Sequence, residues 1–100
     1  MISFEELPDA LRPYASWSLS MWFYTVSHSE LVLQLRHPDQ YRIKYLVLSG
    51  CGDVCIPAIS AVEHVQVEKL DEMTWRLTLS EYAAATAETW RLEDEYQMIT

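Results

Sequence analysis

Few side chains in this sequence are of types that do chemistry, and their spacing limits what they could do. Cys51 and Cys55 flank a turn that holds both glycines of the chain, Gly50 and Gly52. A zinc site takes four ligands, usually with Cys or His in closely spaced pairs. Here no second cysteine pair exists, His64 is the nearest histidine, and His28 and His37 lie on earlier turns. The two thiols read instead as small hydrophobes packed in or beside a turn. A disulfide between them is disfavoured in a reducing compartment. No metal is expected.

Nucleophilic catalysis needs a nucleophile, a base and an orienting group brought together. Ser16, Ser18 and Ser20 alternate along one stretch. They are explained by the solvent side of an amphipathic strand, and no G-x-S-x-G elbow surrounds them. Glu93-Asp94-Glu95 offers three carboxylates but lacks the spaced Asp and Gly of a calcium loop. Its simpler use is a solvated edge that discourages strand-to-strand aggregation. Gly50-Cys51-Gly52 lacks the remainder of any nucleotide-binding fingerprint. The sequence therefore predicts no catalytic residue and no cofactor, and it does not read as an enzyme.

The aromatic residues carry more information. Four Trp and six Tyr occur in 100 residues. Trp17, Phe23, Trp75 and Trp90 fall at strand period and are expected in the core. Trp22, Tyr24, Tyr41 and Tyr45 are too many to bury alongside them in one small core. Tyr and Trp concentrate at protein interfaces, so these four, with Glu93, Asp94 and Glu95, form the candidate contact surface.

Charge narrows the class of partner. The net charge is −8, and no cluster of Lys and Arg is present. Binding to a phosphate backbone or an anionic membrane depends on such clusters, so neither nucleic acid nor membrane is expected. From Glu63 to Thr100 nine acids stand against three bases, whereas residues 1–62 carry six acids and four bases. The later part could serve as an acidic face for a basic protein. No apolar run approaches the roughly 18 residues that span a bilayer. The first residues, Met1 to Glu6, lack the basic and apolar regions of a signal peptide. A cytoplasmic protein is expected.

The elements that must position these residues are mostly strands. Ser3-Phe4-Glu5-Glu6 has the pattern of a capping box. It predicts a short helix that lays Phe4, Leu7 and Leu11 over a sheet and ends at Pro13. Trp17, Leu19, Met21 and Phe23 then alternate with serines, giving a strand over 16–26 with one buried face. Its other face becomes apolar at Trp22, Tyr24 and Val26. Leu31–Arg36 and Tyr41–Leu48 alternate again across short turns, which makes an antiparallel meander. Val54-Cys55-Ile56-Pro57 predicts a short edge strand, because Pro57 cannot donate to a ladder. Weak alternation over 63–70 and clear alternation over 75–79 predict a hairpin turning at Leu70–Met73.

The stretch 81–97 is ambiguous. Tyr82–Ala87 has helix propensity, yet Thr89-Trp90-Arg91-Leu92 repeats Thr74-Trp75-Arg76-Leu77. The repeat favours a strand. A hairpin turning near Ala83 and Ala84 would place Trp75 opposite Leu92 and Leu77 opposite Trp90. The whole reads as one all-β domain over 1–100 with minor α. Seven or eight short strands would build a sandwich, a partly open barrel or a bent sheet.

Leu46-Val47-Leu48-Ser49-Gly50-Cys51, Cys55-Ile56-Pro57 and Trp90-Arg91-Leu92-Glu93 together resemble small all-β bacterial proteins of uncharacterised function. Some of those are grouped with the immunity proteins of polymorphic toxin systems. The resemblance implies a non-enzymatic β module that binds another protein, and it carries no catalytic residues. The sequence thus favours a protein-binding module whose partner is a basic protein or a second copy of the chain. The alternative is a small-molecule carrier with an aromatic-lined pocket.

Overall fold

The computed structural model describes residues 3–25, 29–58 and 60–94. Val26, His28, Glu95 and the stretch from there to Gln97 lie outside them. Among the described residues, nine strands form two antiparallel sheets. The first sheet has the order β5-β1-β2-β3-β9, from β1 (Ser18–Thr25), β2 (Glu30–Arg36), β3 (Ile43–Ser49), β5 (Ser60–Ala61) and β9 (Thr89–Glu93). The second has the order β4-β8-β7-β6, from β4 (Val54–Cys55), β6 (Gln66–Lys69), β7 (Trp75–Thr78) and β8 (Ala84–Ala87). Of the three architectures expected, this is the sandwich. The two-residue β5 was not foreseen.

One core joins the two sheets. Leu31, Leu33 and Leu35 of β2 and Leu46 and Leu48 of β3 meet Leu77, Leu79, Ala83, Ala85 and Ala87 from the other side. Period-two alternation delivers these residues to one face of each strand. The N-terminal segment closes one end of the sandwich. Ser3 caps the first turn: its Oγ accepts from Glu5 N, and Glu6 Oε2 accepts from Ser3 N at 3.2 Å. The turn continues as α1 (Leu7–Ala10), and Phe4, Leu7 and Leu11 are buried as expected. Pro13 does not end the segment. It sits in the first positions of a further 3₁₀ turn, Arg12–Tyr14, where its missing N–H costs nothing. Ser16 then takes a left-handed φ of 70°, which delays the strand to Ser18.

The meander of β1, β2 and β3 holds as expected, with one correction inside β1. A β-bulge falls between Met21 and Phe23, so Met21 pairs with Leu33 but Phe23 pairs with Val32. A slip of one residue exchanges the two faces of a strand. Phe23 is therefore half-buried on the outer face rather than in the core, and Tyr24 packs against the core instead. Trp17 and Trp90 are buried in the core, while Trp75 is half-buried against it.

The second correction concerns the last strands. Residues 84–93 are extended, not helical, but the expected hairpin register does not form. The turn lies at Ser80–Ala83, where Leu79 N donates to Ala83 O at 2.8 Å. Trp75 faces Ala87, Arg76 faces Thr86 and Leu77 faces Ala85. After Glu88 the chain leaves this sheet and enters the other as β9, where Trp90 lies opposite Leu48 and Leu92 opposite Leu46. A strand that bends from one sheet into the next forms a corner of the sandwich. The small side chains of β8 let the sheets approach there. At the corner, Glu88 N donates to Ser49 O at 2.8 Å. Gly50 follows with φ +71°, and a Cβ on it would lie 2.7 Å from Glu88 Cγ. Only glycine suits both the backbone angle and the close approach.

Candidate functional site

Two surfaces gather the aromatic residues. The first is the outer face of the five-stranded sheet. Val32 and Val47 are fully buried on it, although they are not part of the main core. They are covered from outside. Trp22 lies at the bulge, and its ring is 6.1 Å from that of Tyr45 on this face. Tyr45 Oη accepts from the buried Gln34 Nε2 at 3.4 Å, which holds the phenol over the sheet. Trp22 is nevertheless 48% exposed. Among the described residues the charges on this face balance. The register places Glu30 and Arg36 at the two ends of β2, and Arg91 and Glu93 on β9. Arg91 Nε meets Glu93 Oε1 at 2.5 Å.

Of the candidate contact residues, the structure brings Trp22, Tyr45 and Glu93 together. Tyr24 turns to the core, and Tyr41 stands alone on the β2–β3 loop, 88% exposed. Asp94 is held elsewhere, 2.6 Å from Lys44 Nζ. That contact raises the lysine's pKa. The Glu93-Asp94-Glu95 run is therefore not a free acidic strip: its first two carboxylates are paired within the chain. Negative charge collects instead around the four-stranded sheet. Asp53, Glu63, Glu68, Asp71, Glu72, Glu81 and Glu88 lie in or beside it, against Lys69 and Arg76.

The second surface is a cleft of about 630 Å³ bounded by three separate segments. Ser3 and Phe4 come from the N-terminal turn, Glu72, Met73 and Trp75 from the β6–β7 hairpin, and Glu88, Thr89 and Trp90 from the β8–β9 corner. Phe4 stacks on Trp75 with ring centroids 5.8 Å apart. Trp90 Nε1 donates to Ser3 O at 3.1 Å, which fixes the indole and ties the N-terminal turn to β9. Asp71 Oδ1 accepts from Met73 N and Thr74 N, which shapes the hairpin turn and lowers the Asp71 pKa. Sequence reasoning missed this cleft. Its only trace was the pair of Thr-Trp-Arg-Leu segments, which supply Trp75 and Trp90.

The residues first considered for chemistry are dispersed. Cys51 is buried and Cys55 exposed, and both are free thiols. Burial pushes the Cys51 thiol up to about 11, and its Sγ donates to Leu48 O. A thiol so protected is a packing group, not a nucleophile. His37 is part of a local structure: its Nδ1 accepts from Asp39 N and Gln40 N, and its ring meets Trp17 edge-on. Arg42 lies over the same indole, 5.6 Å from its centre. His64 is exposed. Among the described residues, no three His, Cys, Asp or Glu side chains converge to hold a metal ion. No helix among them is long and apolar enough to cross a membrane.

No family model, curated protein or solved structure proved similar to the chain. The resemblance to immunity proteins thus rests on its own short segments.

Proposed function

We propose that this protein is a non-catalytic protein-interaction module that docks through the outer face of its five-stranded sheet. The docked protein is first of all a second copy of the chain. The observation that carries this reading is Trp22, set beside Tyr45 on the same sheet face as two buried valines and left half exposed. A half-exposed tryptophan beside a tyrosine is the kind of residue pair that anchors protein interfaces.

Charge supports the identity of the partner. The face is balanced, with Arg36 and Arg91 set against Glu30 and Glu93, so a twofold axis can bring opposite charges together. The acidic residues lie around the opposite sheet. In a face-to-face pair they sit at the two far ends, across two molecules whose shortest extent is 26 Å. That separation exceeds the Debye length of about 8–10 Å at physiological salt, so the net charge of −8 offers little opposition.

A tryptophan presents roughly 200 Å², so half exposure leaves on the order of 100 Å² for a partner. At ~25 cal/mol per Å² this contributes about 2.5 kcal/mol from each copy. Sedimentation equilibrium across roughly micromolar to hundred-micromolar protein should show a monomer–dimer equilibrium. Trp22→Ser should weaken it by about tenfold or more while the circular dichroism spectrum stays unchanged. A chain that stays monomeric throughout, or a dimer indifferent to both Trp22→Ser and Tyr45→Ser, would refute the reading.

A further inference from the structure

We infer that the cleft between the N-terminal turn, the β6–β7 hairpin and the β8–β9 corner binds a small organic ammonium ion with an aromatic or aliphatic body. The site is distinct from the sheet face around Trp22, and the inference does not depend on dimer formation. Its volume of about 630 Å³ lies within the range of small-molecule sites, roughly 300–1,000 Å³. Its floor is apolar and ordered. Phe4 is 3% exposed and stacks under Trp75, and Trp90 is fixed by its bond to Ser3 O.

The sign of the ligand follows from the rim. Glu72 and Glu88 line the cleft, and among the described residues no Lys, Arg or His does. Among the described residues neither carboxylate is paired with a cation. Two N–H donors near the cleft are already engaged. The Trp90 indole N–H is spent on Ser3 O, and the first-turn N–H of Glu5 is capped by Ser3 Oγ. The faces of indole rings are themselves electron-rich and attract cations. An anion would meet repulsion from both carboxylates, with only neutral hydroxyls and no cationic side chain among the described lining residues to offset it. A neutral apolar molecule would use the floor but leave both carboxylates idle. An ammonium on an apolar body uses both: the body rests on Trp75 and Met73, and the charged head faces Glu72 and Glu88. Met73, 64% exposed, is the flexible wall that fits the body of the ligand.

Phenethylammonium, phenethyl alcohol and phenylacetate share one ring and differ in charge. Each is titrated into the full chain while the tryptophan indole N–H signals are followed by NMR. Phenethylammonium should shift the Trp75 and Trp90 signals saturably and leave that of Trp22 in place. The alcohol should bind roughly fivefold more weakly, and the carboxylate more weakly still. Glu72→Gln/Glu88→Gln changes only exposed side chains, so the fold should persist while ammonium affinity drops by roughly fivefold or more. Met73→Ala should weaken the ammonium and the alcohol alike. Trp22→Ser should leave the titration unchanged, which separates this site from the sheet face. Equal binding of the alcohol or carboxylate, unchanged affinity in the double Gln variant, or no saturation by about 20 mM would overturn the inference.

Discussion

Gly50 gives the sharpest test of the corner that joins the two sheets. Gly50→Ala adds one methyl group at a residue with φ +71°. An L-residue held in the left-handed region costs roughly 1–2 kcal/mol. The new Cβ would also lie 2.7–2.8 Å from Cγ, Cδ and Oε2 of Glu88. Glu88 is exposed, so its side chain can swing aside at an off-rotamer cost of about 0.5–1.5 kcal/mol. The loss of unfolded-state entropy on replacing glycine returns up to about 1 kcal/mol. The net expectation is a loss of about 1–2 kcal/mol. For a domain this size that lowers the melting temperature by roughly 4–8 °C per kcal/mol. Glu88→Ala alone should be within about 0.5 kcal/mol of neutral. In the double variant the clash disappears and the backbone cost stays, so the two substitutions should couple by about 0.5–1 kcal/mol. Urea unfolding followed by tryptophan fluorescence and by circular dichroism measures all four proteins. If Gly50→Ala is as stable as the parent, the left-handed backbone at Gly50 is wrong. If the double variant merely adds the two single effects, the close approach of Glu88 is wrong.

Two further outcomes are expected. Cys51 ionises near 9.0 when unfolded but only at about 11 in the buried site. The stability it supports is intact below pH 9 and declines as pH rises towards 11, by on the order of 3 kcal/mol. Cys51→Ala should flatten this alkaline decline, and at pH 8 iodoacetamide should label Cys55 quickly and Cys51 only after unfolding. An unaltered alkaline slope in Cys51→Ala would contradict the buried thiol. Thr86 Oγ1 accepts from Asp53 N at 3.0 Å and is 7% exposed. Thr86→Val keeps the shape but orphans that N–H, so it should cost about 1–3 kcal/mol in the same urea assay. A neutral result would mean that water replaces the hydroxyl.

The parts of the fold legible in the sequence were those set by local pattern. Alternation in Leu31–Arg36 and 41–48, separated by a short polar turn, is enough to specify a meander. Ser3 and Glu6 announced the cap, and Asp71 the turn of the hairpin. The bulge in β1 was hidden because Trp22, Phe23 and Tyr24 are all aromatic, so the pattern loses its phase where the register slips. The sheet switch at Glu88 was hidden for another reason. Thr-Trp-Arg-Leu reads as a strand with one buried face, but nothing in it says which sheet it joins. Trp22 and Tyr45, which share the outer sheet face, were legible only as surplus aromatics. Tyr24 was misplaced by the same bulge. The cleft needed three distant segments to meet, and no periodicity reports that.

The corner at Glu88 also governs how the chain comes off the ribosome. The edge of β3 is completed only when β9 exists, and β3 ends at Ser49 whereas β9 ends at Glu93. At roughly 5–20 residues per second the interval is on the order of 2–9 seconds. Throughout it, β3 presents unpaired backbone along a strand whose Val47 and Leu48 are both destined for burial. Neighbouring nascent chains on one message carry the same edge, and an unpaired edge is a template for the wrong partner. The Trp90 indole that anchors Ser3 is made 87 residues after it, so that bond also waits for β9. Slower elongation lengthens the time that this edge stays open, so folding in a cell depends on the rate of synthesis as well as on the stability of the finished fold.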